Sequence, residues 1–158
     1  MNSPKHITVF TDGSCIKTKN DILCGYGIYF PNKELENVSK PFNLLPKTNQ
    51  RAELYAIYEA LTTISENIKY DRIFVYSDSE YSIKSLTIWV NTWEKNGWKT
   101  ANNKPVLNQD IIIPLYNIIK NQKDKIIFVH VKAHTGNQDF VSISNDFADK
   151  LAKNGAKQ

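Results

Sequence analysis

Three short strand-forming segments precede the first helical segment of this 158-residue chain, and this order restricts the fold more than any other feature. The first segment begins at His6, and the next two cover residues 22–31 and 34–43, with polar turns between them. Consecutive strands joined by short turns predict an antiparallel meander. Asp12 follows the apolar residues of the first strand, so either the strand ends there in a turn or the sheet carries a buried acid.

Helices and strands alternate in the rest of the chain. We predict helices over residues 48–67, from residue 79 onwards, over residues 109–121 and over residues 145–154, the last one ended by Gly155. Strands are predicted over residues 71–77 and 125–133, and a polar loop then runs to residue 144. Parallel strands need crossover helices of this kind. The order therefore predicts an α/β fold, a mixed five-stranded sheet with an antiparallel meander, parallel strands and helices on both faces.

The composition is that of one ordinary globular domain, with 41% hydrophobic and 23% charged residues. The net charge of +4 permits a polyanionic partner without requiring one. We find no apolar run long enough to span a bilayer and no signal peptide, and from this we predict a cytoplasmic location. Cys15 and Cys24 fall on adjacent predicted strands, and in a reducing compartment we expect two buried thiols.

Acidic residues stand at the edges of three predicted elements. Asp12 follows the first strand, Glu53 falls in the first turn of the first helix, and Asp78 follows the fourth strand. Each has a structural explanation on its own, since Asp78 would serve as a helix N-cap and Glu53 would be favoured by the helix dipole. In such sheets, however, ligands bind where strand ends and helix starts converge. We therefore expect the three acids to meet there with an acid of the last helix.

Six segments stand out in order over essentially the whole chain: Thr11-Asp12-Gly13-Ser14, Thr48-Asn49-Gln50-Arg51-Ala52-Glu53, Tyr76-Ser77-Asp78-Ser79, the run from Trp89 to Asn108, Val131-Lys132-Ala133-His134-Thr135-Gly136, and Asn145-Asp146-Phe147-Ala148-Asp149-Lys150-Leu151-Ala152. Together they resemble the motifs of cellular ribonuclease H, type 1. Any one motif is weak, but six in register are specific. The resemblance implies a ribonuclease H-like fold, with residues 1–158 as a single, monomeric catalytic domain and no separate N-terminal hybrid-binding domain.

The resemblance implies an endonuclease that hydrolyses the RNA strand of RNA–DNA hybrids and leaves 5′-phosphate and 3′-hydroxyl ends. Two metal ions roughly 3.5–4 Å apart can activate the attacking water and stabilise the leaving oxygen together. Mg²⁺ prefers oxygen ligands, which explains the need for carboxylates, and Mn²⁺ is an alternative ion. By analogy with the family, Asp12 bridges two Mg²⁺ ions, Glu53 and Asp78 complete the leaving-group site, and Asp149 holds the water-activating ion.

Two choices remain open near the end of the chain. Asp146 lies one turn before Asp149 on the same predicted helix, and the family motif favours Asp149 through its spacing from Asn145. The resemblance gives His134 a role in water attack or product release, as a proton carrier with a suitable intrinsic pKa. Otherwise His134 is a surface loop residue. His130 precedes it by four residues at a strand end, where the two side chains would diverge, so we expect no zinc site.

Substrate contacts follow from the same resemblance. An RNA strand displays 2′-hydroxyl groups in the minor groove, and amide side chains can both donate to a hydroxyl and accept from it. Asn49 and Gln50 match the family positions that read these groups, and Thr48 and Asn108 match those that hold a phosphate of the DNA strand. Trp93, Trp98 and Lys99 match the substrate-gripping handle, which we define as residues 89–109. Tryptophans in such a hairpin are usually core, and we expect at least one of the two to be so.

Two departures from the family pattern concern the placement of His134 and the affinity for substrate, and two other functions also stay open. The span from His134 to Asn145 is longer than usual, and the handle carries only Lys95, Lys99 and Lys104 against Glu94. A nuclease of the same fold acting on DNA is one alternative, although the handle and the run from Thr48 to Gln50 argue against it. A non-enzymatic hybrid-binding module is another, although such a module would not need all four acids.

Overall fold

The computed structural model describes residues 5–122 and 124–158 and places one five-stranded sheet in these ranges. The strands are β1 (His6–Lys17), β2 (Ile22–Tyr29), β3 (Val38–Phe42), β4 (Arg72–Ser77) and β5 (Ile126–His130). Their spatial order is β3-β2-β1-β4-β5. β1 and β3 both pair with β2 in antiparallel fashion, while β1–β4 and β4–β5 are parallel pairs. The predicted mixed sheet is confirmed.

The helices connect the strands in the predicted order. They are α1 (Asn49–Asn67), α2 (Glu80–Lys84), α3 (Val90–Lys95), α4 (Gln109–Asn121) and α5 (Phe140–Ala156). A π-helical segment, Ser85–Trp89, joins α2 to α3 and makes them one continuous helical run. In the described ranges, no helix has both the length and the apolar content that crossing a bilayer requires.

Both faces of the sheet are covered, as the residues of β2 show. Successive strand residues point to opposite faces. Tyr26 and Ile28 join the core beneath α1, and a Cβ atom at Gly27 would lie only 2.5 Å from the carbonyl oxygen of Ala148 in α5. The glycines of β2 therefore let α5 pack directly on the sheet.

The last helix is longer than predicted at both ends. It begins at Phe140 because Asp139 caps it, its carboxylate accepting a hydrogen bond from the backbone N–H of Ser142 at 3.2 Å. The predicted loop to residue 144 is wrong for this reason. Gly155 does not end the helix but lies buried inside it, where a Cβ atom would stand 2.8 Å from the backbone nitrogen of Lys40. The lack of a side chain at Gly155 allows α5 to pack closely against β3.

The expectation of two free thiols is also wrong, because the structure joins Cys15 and Cys24 in a disulfide. The two residues are direct partners in the antiparallel β1–β2 register, with Cα atoms 4.0 Å apart. The strand register brings the two side chains together. The expectation of free thiols rested on the compartment alone, which says nothing about this register.

Candidate active site

Asp12 lies within a strand and not at its end. β1 continues five residues further to Lys17 and stays paired with β2, whereas its parallel pairing with β4 stops at Phe10 and Tyr76. The alternative that the strand ends in a turn at Asp12 is therefore wrong. The residue is only 3% exposed, so the sheet holds a carboxyl group in its interior beyond the end of β4.

Gly13 lets α1 bring Glu53 beside Asp12. A Cβ atom at position 13 would collide with the backbone of Ala52 and Glu53. The backbone N–H of Gly13 donates to the Oδ1 atom of Asp12 and to the Oε1 atom of Glu53, both at 3.0 Å. Because α1 begins at Asn49, Glu53 lies beyond the first turn and the prediction placing it there is wrong. Stabilisation by the helix dipole fades beyond that turn, which weakens the alternative explanation.

Asp78 follows β4 directly but does not cap the next helix. Ser79 takes that role, its hydroxyl accepting a hydrogen bond from the backbone N–H of Ser82. The carboxylate of Asp78 is held instead from α5, since the Nδ2 atom of Asn145 donates to its Oδ2 atom at 3.2 Å. Asn145 is 2% exposed. A buried amide on the last helix thus orients the acid at the end of β4.

The three carboxylates meet closely enough to share a cation. One oxygen from each of Asp12, Glu53 and Asp78 lies within 4.8 Å of the others. Burial first, and then the neighbouring carboxylates, raise the pKa of Asp12, and burial likewise raises the pKa of Glu53. The buried Oε2 atom of Glu53 has no hydrogen-bond partner among the described residues. An orphaned acceptor in a group of carboxylates fits a hard divalent cation with oxygen ligands.

The last helix contributes Asp149 to the same place. Its side chain lines the same cleft as Asp12, and its Oδ2 atom lies 3.0 Å from the Nζ atom of Lys153 one turn later. Among the described residues that line the cleft over the carboxylates, Asp149 is present and Asp146 is not. The structure therefore places Asp149, as predicted, beside the other three acids.

One open cleft of about 430 Å³ collects most of the predicted residues. Those that line it are Asp12, Asn49, Gln50, Glu53, Asp78, His134 and Asp149. His134 is exposed at the cleft, with a left-handed backbone (φ 52°) that is uncommon for residues other than glycine. The Oδ1 atom of Asn49 accepts a hydrogen bond from the backbone N–H of Cys15 at 2.8 Å, which leaves its Nδ2 atom as the free end.

The handle stands apart from this cleft. Trp93 and Trp98 do not belong to the described lining, and both pack against the main core while partly buried, which confirms the expected core role. Trp98 turns the chain after α3 with φ 64°, and its carbonyl oxygen accepts a hydrogen bond from the N–H of Val106. Lys99 and Lys104 are exposed on this short hairpin. The Oε2 atom of Glu94 lies 3.1 Å from the Nζ atom of Lys120 in α4. The acidic residue of the handle is therefore paired with a lysine that lies outside the handle.

Thr48 and Asn108 also lie outside the described lining of the cleft, at the starts of two helices. Thr48 caps α1, its Oγ1 atom accepting a hydrogen bond from the backbone N–H of Arg51 at 3.2 Å. Asn108 precedes α4 in a left-handed conformation with φ 65°, and its side chain makes no capping bond. The Nδ2 atom of Asn108 donates to the Tyr81 hydroxyl at 2.9 Å.

Sequence reasoning missed three residues around these sites. Asn145 was noted only for its spacing to Asp149, although an i, i+4 pair shares one helix face and both point to the carboxylates. The same spacing from Asp149 to Lys153 could have indicated the cation beside the site. Arg51 stands within the motif of α1, but nothing in the sequence locates its distant partner Asp110.

The fold and the carboxylate cluster define an α/β protein with an acidic site at the centre of a mixed sheet. The family description "RNase H" matches residues 4–157, and the chain belongs to the RNase H family. It is 41% identical over 155 residues to Ribonuclease HI of Haemophilus influenzae, covering 98% of this chain and 92% of that protein. Ribonuclease HI of Pasteurella multocida is 39% identical over 154 residues, with 97% and 91% covered.

Solved structures give the same fold. The PFV RNase H domain in solution superposes with a TM-score of 0.80 at 26% identity, covering 98% of this chain and 96% of that one. A foamy viral protease-reverse transcriptase in complex with dsDNA gives a TM-score of 0.79 at 26% identity, with 96% and 94% covered. The predicted family and fold are confirmed.

Proposed function

We propose that this chain is an endonuclease that hydrolyses the RNA strand of RNA–DNA hybrids and leaves 5′-phosphate and 3′-hydroxyl ends. The observation that carries the proposal is the meeting of Asp12, Glu53 and Asp78 within 4.8 Å in a cleft that is also lined by side-chain amides. Carboxylates alone would suit any cation site. The amides of Asn49 and Gln50 beside them supply groups that can recognise a ribose hydroxyl.

The carboxylates of Asp12, Glu53, Asp78 and Asp149 would hold two Mg²⁺ ions, with Mn²⁺ as the alternative. When bound, such ions lower the pKa of the attacking water and stabilise the leaving oxygen. Asp12 would serve both ions; its proximity to Glu53 and Asp78, within 4.8 Å, and the presence of Asp149 in the same cleft support this role. Asn145 holds the carboxylate of Asp78 in orientation. The imidazole of His134, exposed at the cleft, would carry a proton to or from the reacting oxygens.

Recognition of the two strands would use separate groups. The free Nδ2 end of Asn49 and the amide of Gln50 would contact 2′-hydroxyl groups of the RNA strand. Thr48 and Asn108, at the starts of α1 and α4, would hold a phosphate of the DNA strand. The handle would lie along the DNA backbone with Lys99 and the exposed parts of Trp93 and Trp98. The cytoplasmic location and the monomeric state remain predictions.

A cleavage assay on an end-labelled RNA–DNA hybrid tests the proposal. We expect cleavage of the RNA strand with Mg²⁺, none with EDTA, and none for Asp12→Asn, because a neutral amide cannot bridge two cations. Asp146→Asn, an acid of α5 outside the described cleft lining, is the matched control and should retain activity. Cleavage of duplex DNA instead would favour the DNA nuclease, and tight binding of the hybrid without cleavage would favour the non-enzymatic module.

A further inference from the structure

Arg51 is a buried cation that belongs neither to the carboxylate cluster nor to the cleft. It lies on α1, two residues before Glu53, and is 3% exposed. Its guanidinium forms a two-pronged ion pair with Asp110, in which Nη1 and Nη2 lie 2.7 Å from Oδ1 and Oδ2. Because Asp110 neutralises it, Arg51 is not free to bind a phosphate itself. Its position therefore needs another explanation.

Besides a hydrogen bond from its Nη2 atom to the carbonyl oxygen of Leu45 at 3.3 Å, Arg51 contacts Thr48 and Asn108, the two residues proposed to hold a DNA phosphate. Its backbone N–H donates to the Oγ1 atom of Thr48 at 3.2 Å. Its Nη1 atom donates to the Oδ1 atom of Asn108 at 3.4 Å. Arg51 thus bonds to both halves of the phosphate site.

These contacts decide which atoms of the site can face an anion. A guanidinium carries only donors, so it can donate to the Oδ1 atom of the Asn108 amide but disfavours the flipped arrangement, in which the NH₂ group would face it. The Nδ2 atom donates one hydrogen to the hydroxyl of Tyr81 and has a second hydrogen left. The Thr48 hydroxyl accepts from the N–H of Arg51 and keeps its own hydrogen available. Both free groups are donors, which is what a phosphate oxygen requires.

We infer that Arg51 is a positioning residue that fixes the Asn108 amide with its NH₂ group available to a phosphate of the DNA strand. This inference rests on the proposed function and adds a residue to it. Lysine cannot replace Arg51 in this role, because one ammonium cannot pair with both oxygens of Asp110 and also hold the amide of Asn108. Tyr81 supports the same orientation from the other side.

The test is a phosphate scan of the hybrid, in which neutral methylphosphonates replace the DNA phosphates one at a time. For the unaltered protein we expect one position at which the replacement raises KM about 10-fold, the loss of a hydrogen bond to a charged group. Arg51→Lys should raise KM on the normal hybrid by a similar factor and change kcat less than about twofold. At the sensitive position, Arg51→Lys should no longer respond to the replacement. A merely structural role would lower Tm and leave the position-specific response in place.

A control variant and a second test variant accompany Arg51→Lys in the phosphate scan. Arg72→Lys, at the exposed start of β4, is the control and should keep the full response. Tyr81→Phe removes the other anchor of the Asn108 amide and gives the same test if Arg51→Lys does not fold. If the folded variants retain the full response at the sensitive phosphate, the inference is overturned while the proposed function stands. If the unaltered protein does not cleave the hybrid, the proposed function itself fails.

Discussion

Asp12 is buried beside Glu53 and Asp78, so its charge has little solvent to stabilise it when no cation is bound. Burial and the neighbouring carboxylates raise the pKa of Asp12, and burial raises the pKa of Glu53 to about 7. In the unfolded chain both groups lose their protons near pH 4. Between about pH 4 and pH 7 the folded state therefore binds more protons than the unfolded state, and the free energy of unfolding falls as pH rises.

Asp12→Asn should relieve this cost in the metal-free protein. We expect its Tm in EDTA at pH 8 to exceed that of the unaltered protein by roughly 2–10 °C, corresponding to about 1–3 kcal/mol for one buried charge removed. The decrease in Tm between pH 5 and pH 8 should also be smaller. Thermal unfolding followed by circular dichroism at several pH values measures both effects, with Asp146→Asn as the control. Identical Tm profiles for Asp12→Asn and the unaltered protein would contradict the electrostatic argument.

Under the proposed function, His134 would act in proton transfer at the cleft and not in substrate binding. His134→Ala should lower kcat by roughly 10²- to 10⁴-fold, the range for lost proton transfer, with little change in KM. His130→Ala, four residues earlier at the exposed end of β5, is the matched control and should behave normally. Steady-state kinetics on the hybrid separate the two parameters. If His134→Ala mainly raises KM, the residue is a substrate contact and its proposed role is wrong.

At the scale of elements, the hydrophobic periods and turn residues were sufficient to predict five strands and four helices, their order and the mixed sheet. Both ends of α5 were missed, because Asp139 was assigned to a loop although it caps the helix, and Gly155 is retained in the helix by its contact with Lys40. The disulfide depended on the β1–β2 register, which the turn between the strands leaves open.

The candidate site was predictable where it depends on strand ends and family motifs. The four acids and His134 line one cleft as expected. The supporting residues were not predictable, since Asn145 reaches Asp78 across 67 positions and Arg51 reaches Asp110 across 59. Such pairs are created by the packing of α5 and α4, and no local pattern reports them.

The handle should contribute to binding of the hybrid mainly through the charges of its lysines. Lys99 and Lys104 are exposed on its hairpin, and Glu94 is already paired with Lys120. Replacing both lysines with glutamine should raise KM for the hybrid and flatten its dependence on salt, because each phosphate contact adds about 0.9 to the logarithmic slope on B-DNA. Measurements of KM between low and moderate salt test this.

Two lysines before β4 and β5 provide a matched control for the handle lysines. Lys69 and Lys125 are exposed near the starts of β4 and β5, away from the cleft, and their replacement removes the same charge. The control pair should leave the salt slope unchanged. An equal slope for both double variants would mean that the handle lysines contact no phosphate.

At the scale of the whole molecule, the proposed function uses two groups of residues, and a substrate would have to present the right group at each. The amides of Asn49 and Gln50 lie beside the carboxylates, whereas Thr48 and Asn108 lie at the starts of α1 and α4, beyond the described lining of the cleft. Under the proposed function, a duplex would therefore be read on two strands at once. The RNA strand should be recognised by its 2′-hydroxyl groups and the DNA strand by the path of its backbone.

This arrangement predicts which duplexes the enzyme refuses. The minor groove should bring several consecutive 2′-hydroxyl groups to Asn49 and Gln50, and each missing one leaves a polar group poorly partnered, at about 1–3 kcal/mol if it is desolvated. Two or three such losses should suppress cleavage by roughly 10²-fold or more. A single ribonucleotide embedded in DNA should thus be cut very poorly, and a run of several ribonucleotides well. Duplex RNA should also be poor, because its second strand would not follow the path required at Thr48 and Asn108. Cleavage rates measured side by side at one salt concentration decide this, and equal rates on the single-ribonucleotide duplex and the full hybrid would refute recognition through several hydroxyl groups.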